Sequence, residues 1–205
     1  MKRLVFGILA HVDSGKTTLS EALLYTAGNI RRLGRVDHGD AFLDTFEIER
    51  QRGITIFSKQ AMLEGDGWSI TLLDTPGHVD FSSETERTLS VLDYAVLVIS
   101  GTDGVQAHTE TLWNLLRSHN IPVFLFVNKM DLAGAAKWKI LSDLRQRFGD
   151  GFIDFSREAD QVSEDIAMYD DALMEQYLEA GHIDPEDTAR LIARRQIYPC
   201  FFGSA

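Results

Sequence analysis

The chain is short of cysteine, of basic charge and of long apolar runs, and each shortage excludes something. Its single cysteine, Cys200, cannot close an intramolecular disulfide, so a disulfide-stapled scaffold is excluded and a reducing compartment is expected. Cys200 itself lies in an apolar stretch and reads as inert core. No apolar run approaches the roughly 18 residues of a membrane span. Lys2-Arg3 do precede an apolar stretch, but only six residues separate Arg3 from Ala10 before His11 and Asp13 arrive, which is no export signal. A soluble, cytoplasmic protein without a membrane partner is the expectation.

Basic side chains number 20 against 31 acidic ones, a formal net charge of −11, which argues against free DNA binding through a general basic field. The deficit is uneven. Residues 1–60 hold nine Lys and Arg against seven Asp and Glu, whereas the remainder holds 11 against 24. Residues 150–187 alone carry 13 acidic side chains and one basic, Arg157. Internal repeats and low-complexity tracts are also absent.

What is present is ordinary globular composition, 44% hydrophobic and 25% charged. The length suits one α/β domain with an insertion better than two cores. The chain is organised around Leu4–Thr18. Apolar residues with β-branched Val5 and Ile8 predict a buried strand, and Lys16–Ala27 runs without Gly or Pro as a helix. Between them lies a phosphate-binding loop, in which a turn and a helix start aim backbone N–H groups at one place. Lys16 adds a full charge there, and Thr17 offers a hydroxyl at the position that ligates Mg²⁺. The first glycine of G-x-x-x-x-G-K-[ST] is replaced by Ala10.

Gly28–Gly53 has no sustained apolar period, and so long a connection reads as a lid or switch. Ile56–Leu63 and Trp68–Leu73 predict two antiparallel strands around the turn cluster Glu64-Gly65-Asp66-Gly67. Helices are then expected at Ser83–Leu92, Gln106–Ser118 and Lys137–Phe148, and strands at Tyr94–Ser100, Pro122–Val127 and Ile197–Phe202. This alternation predicts a mainly parallel six-stranded sheet flanked by helices. The acidic stretch at about 150–196 reads as a helical insertion before the last strand. In it Ser163 caps a helix running to Gly181, and Pro185 opens a second. Trp113 and Trp138, in apolar helical patterns, are expected in the core.

Chemistry gathers after the strands. Asp74-Thr75-Pro76-Gly77 can supply a carboxylate for Mg²⁺ and a glycine N–H for the γ-phosphate. Asn128-Lys129-Met130-Asp131 follows a strand, and the Asp131 carboxylate can accept hydrogen bonds from both guanine donors, where adenine would leave it unpaired. Ser204-Ala205, after the last strand, can bring backbone N–H groups to guanine O6. None of the six histidines has metal-site spacing, and away from the motifs they read as surface or packing residues.

In this order, Ala10–Thr17, Arg52–Ile56, Asp74–His78, Asn128–Asp131 and Ser204-Ala205 resemble the five signatures of the GTP-binding domain of translational GTPases, across essentially the whole chain. Through Leu33–Asp37, Glu49–Gly53 and Ser90–Asp93 it looks most similar to tetracycline-resistance ribosomal protection proteins, with elongation factor G the alternative. The resemblance implies a P-loop GTPase domain. GTP or GDP would be held by His11, Val12, Asp13, Ser14, Gly15, Lys16, Thr17, Thr18, Asn128, Lys129, Asp131, Ser204 and Ala205. Mg²⁺ would be held by Thr17, Thr55 and Asp74, and a monovalent cation near Asp13. Lys16, Gly77 and His78 would be catalytic, with His78 positioning the attacking water beside an apolar gate of Val12 and Ile54. It implies the ribosome as partner, turnover that is slow without it, and further domains beyond a monomeric domain of this kind. A nucleotide-dependent binding switch, with hydrolysis only as reset, is the rival reading.

Overall fold

The computed structural model describes residues 2–32, 59–65, 67–75 and 87–205. The greater part of the expected switch loop, and with it Ile54, Thr55, Gly77 and His78, lies outside the described residues.

Strand β1 (Lys2–Ala10) leads through a loop to helix α1 (Lys16–Thr26). The hairpin β2 (Lys59–Gly65) and β3 (Trp68–Asp74) follows, then β4 (Tyr94–Ser100), α2 (Ala107–Ser118), β5 (Val123–Asn128) and α3 (Lys137–Phe148). The chain continues through β6 (Phe152–Asp154), α4 (Ala159–Ala167), α5 (Asp171–Ala180), α6 (Pro185–Ala193) and β7 (Tyr198–Phe202). One sheet runs in the order β2-β3-β1-β4-β5-β7-β6. Among these strands only the β2–β3 pair is antiparallel.

The fold class is the expected α/β one, with seven strands among the described residues rather than six. The added strand is Phe152–Asp154, inside the stretch read as wholly helical. At three residues it is too short to show a period, and it is recruited by pairing with Tyr198–Cys200. The acidic stretch also holds three helices, not two. Ser163 lies within α4, and the cap in use is Asp170, whose carboxylate accepts the N–H groups of Ala172 and Leu173 at 2.9 and 3.3 Å.

Both faces of the sheet's centre are covered, which is why β4 and β5 are nearly continuous apolar runs, whereas the edge strand β2 alternates buried and exposed positions. On one face α2 and α3 bury Leu112, Trp113, Leu116, Ile140 and Leu144 against Leu97, Ile99, Leu125 and Val127. On the other, α1 packs Leu19 and Leu24 on Ile8, Ala10, Leu72 and Val98. Beside it α4–α6 enclose Val162, Ile166, Leu173, Leu191 and Ile192 around Ile153. Trp113 is core as expected, but Trp138 is 75% exposed. The inward row of α3 is Ile140 and Leu144, one turn apart, and a side chain two residues before Ile140 points away from that row. Cys200 is buried, and burial together with the neighbouring Asp154 carboxylate pushes its thiol up from the ordinary range.

Candidate functional site

In an open parallel sheet, ligands bind beyond the carboxyl ends of the strands where neighbouring connections leave on opposite faces. Here α1 leaves β1 on one face while α2 leaves the adjacent β4 on the other. The motif residues stand at that edge. Asp74 ends β3, opposite Ile8, while Ser100 and Asn128 end β4 and β5 side by side.

The loop from His11 to Gly15 is a succession of tight turns. Ser14 N–H donates to His11 O at 3.3 Å, Asp13 has φ +61°, and Gly15 has φ +86° as the N-cap of α1. Glycine is needed at position 15 for a second reason: a Cβ there would come within 2.2 Å of Asn128 Nδ2. The backbone therefore lies against Asn128 with no room for a side chain, at the N-terminus of α1. Such an N-terminus suits anionic oxygens.

Asn128 is 2% exposed and spans two distant segments. Its Nδ2 donates to Ser14 O at 3.0 Å, and its Oδ1 accepts Ala205 N–H at 2.9 Å. Lys129, held at φ +61°, donates from Nζ to Asp13 O at 2.6 Å. Three stretches far apart in sequence are thus joined by side chains that the candidate motifs contain. Asp131, Asp13, Ser204 and Ala205 are exposed at the mouth, while His11, Val12, Thr17 and Thr18 are half-buried. The His11 ring lies 6.0 Å from that of His108 at the start of α2.

Beneath the loop, Lys16 and Asp74 are 8% and 1% exposed, with Lys16 Nζ 2.5 Å from Asp74 Oδ1. Burying opposite charges together offsets the cost of removing either from water. Asp74 is held in place by Thr75, which donates from its hydroxyl to Ile8 O at 2.8 Å and from its N–H to the same atom at 3.3 Å. The Asp74 carboxylate and the hydroxyl of Thr17, in the first turn of α1, are hard oxygen donors, which fit Mg²⁺ better than a softer metal.

Some supporting residues escaped the sequence reading. Ser20 is fully buried, and its Oγ donates to Lys16 O at 3.0 Å and stands 3.5 Å from Asp74 Oδ1. Gly101 donates its N–H to Asn128 O at 2.8 Å, and a Cβ on it would meet Met130 Sδ at 2.8 Å. Gly203 O accepts Met130 N–H at 3.1 Å. A Ser-Gly pair at a strand's end was the only signal for Gly101, and many turns share it.

A family model described as the elongation factor Tu GTP binding domain matches residues 1–205. An oxytetracycline resistance protein of Streptomyces rimosus is 42% identical over 231 aligned positions, covering 100% of this chain and 35% of that protein. Elongation factor G of Ureaplasma urealyticum is 35% identical over 249 positions, covering 98% and 36%. The crystal structure of a Thermus thermophilus protein superposes with a TM-score of 0.85 at 28% identity, over 98% of this chain and 37% of that one. The chain therefore spans about a third of the length of the curated relatives it matches. With every residue matched by that family model, the chain belongs to the elongation factor Tu GTP binding domain family, as a translational GTPase domain related to tetracycline resistance proteins and elongation factor G.

Proposed function

We propose that the chain binds GTP and hydrolyses it to GDP and phosphate, as the nucleotide-driven part of a cytoplasmic, ribosome-dependent translation factor. The observation that carries this reading is the double hydrogen bond of Asn128, which ties the phosphate loop at Ser14 to the chain end at Ala205. A rigid cradle is thereby set beside Asp131, whose carboxylate reads the guanine ring N–H and amine.

Little covalent chemistry falls to the protein in phosphoryl transfer, so positioning and charge neutralisation dominate. Backbone N–H groups from Gly15 onward and the Lys16 ammonium hold the β- and γ-phosphates and take up charge as it develops. Thr17, Asp74 and Thr55 are the residues that would hold Mg²⁺, which supplies further neutralisation of the phosphate oxygens. In the same reading Gly77 and His78, outside the described residues, are assigned to the γ-phosphate and to the attacking water. The ribosome completes this arrangement, so turnover without it is slow. A monovalent cation beside Asp13 belongs to the same reading. The oxytetracycline resistance protein is nearer in identity than elongation factor G, which favours a ribosomal protection role over translocation.

Phosphate release from GTP and from ATP, each with Mg²⁺, tests the reading. Asp131→Asn replaces an acceptor by a donor and should cost about 2–4 kcal/mol of GTP affinity, as for an unpaired polar group in a site. Xanthine nucleotides should gain correspondingly. Unchanged GTP affinity in that variant would remove the base-reading role.

A further inference from the structure

Backbone groups serve the phosphates at the loop after β1, so the imidazole of His11 has no part in that contact. It meets a second imidazole instead. His108, in the first turn of α2, has its ring centre 6.0 Å from that of His11, with the two planes inclined at 57°. The sheet brings them together: β1 and β4 are parallel neighbours with Ala10 opposite Val98, so the connections that follow both strands leave the same edge. Both side chains are half-buried.

His11 Nδ1 is shut from solvent and makes no hydrogen bond among the described residues. Both ring nitrogens of His108 are out of solvent as well. A buried polar atom without a partner costs free energy, and an ordered water or an ion is the common way to recover it. A neutral imidazole offers one nitrogen lone pair in the ring plane, which a metal ion can take. With Zn–N bonds of about 2.0–2.1 Å, one ion bonded to both rings would hold their centres about 5–6 Å apart. The observed spacing lies at the upper end of that range.

We propose that His11 and His108 bind one divalent ion of the imidazole-preferring class, Zn²⁺ foremost. Mg²⁺ prefers oxygen donors, so this site is chemically distinct from the Thr17 and Asp74 oxygens beneath the loop. No third His, Cys, Asp or Glu joins the pair among the described residues, and water fills the remaining positions on the ion. An ion so held ties the first turn of the phosphate loop to the start of α2.

Two protein ligands supply about half the free energy of a four-ligand zinc site, which places Kd between about 1 and 200 µM. Isothermal titration of zinc chloride into the chain, with Mg²⁺ in excess, should find a site in that range. His108→Gln should weaken it at least ten-fold, whereas His119→Gln, at the other end of α2, should leave it unchanged. Because position 108 lies in a helix's first turn, a second measurement uses the wild-type chain alone. In long-range ¹H–¹⁵N spectra, the ring nitrogens of His11 and His108 should shift together as Zn²⁺ is added. A wild-type Kd weaker than about 1 mM, binding of equal strength in His108→Gln, or shifts at one of the two rings without the other would overturn the proposal.

Discussion

Gly15 and Asn128 are coupled by a contact that a double-mutant cycle can measure. Asn128→Ala removes the bonds to Ser14 O and Ala205 N–H. Ser14 is 3% exposed, so its carbonyl loses a partner that water cannot readily replace. Two such losses sum to about 2 kcal/mol, or a fall in Tm of about 4–8 °C for a domain of this size. Gly15→Ala forces a Cβ onto φ +86°, costing about 1–2 kcal/mol in the left-handed region. It also drives that Cβ to 2.2 Å from an amide held by two hydrogen bonds. In Gly15→Ala/Asn128→Ala the second contact vanishes, because the amide is gone, and only the backbone strain remains. The two changes together should therefore cost at least ~1 kcal/mol less than their sum. Urea unfolding followed by the fluorescence of buried Trp113 provides the four free energies. Additivity within about 0.5 kcal/mol would refute the coupling, and with it the argument that position 15 must be glycine because of Asn128.

Two further outcomes are expected. His78→Ala should leave GTP binding nearly intact, since no phosphate or base contact is removed, while ribosome-stimulated hydrolysis falls at least ~10²-fold; stimulated turnover equal to wild type would reduce His78 to a turn residue. Burial keeps the Cys200 thiol protonated in the fold, so above roughly pH 8.5 the unfolded chain releases a proton that the native chain retains. Stability should then decline as pH rises through that range, and Cys200→Ala should flatten the decline; identical urea midpoints against pH in both proteins would contradict the assignment.

The strand–loop–helix around Gly15, the strand that ends at Asn128 and the α/β alternation were legible in the chain because each is a local matter. A buried strand is an apolar run, a helix start needs particular residues, and the carboxylate proposed to read guanine follows closely on its strand. β6 was not legible, since three residues show no period and its existence depends on β7, more than forty positions later. Trp138 was misplaced for a related reason. Composition makes tryptophan a core residue, and only the rotation of α3 against the sheet decides which side of the helix meets water.

What the sequence by itself determined is which chemical groups are available and in what order: a lysine at a helix start, a carboxylate at the end of one strand, an amide and a carboxylate at the end of another. What the tertiary structure alone decided is their conjunction. Asn128 reaches Ser14 across 114 positions and Ala205 across 77. Such long-range bonds leave no trace in local pattern, because they form only after packing on both faces of the sheet brings the strand ends level.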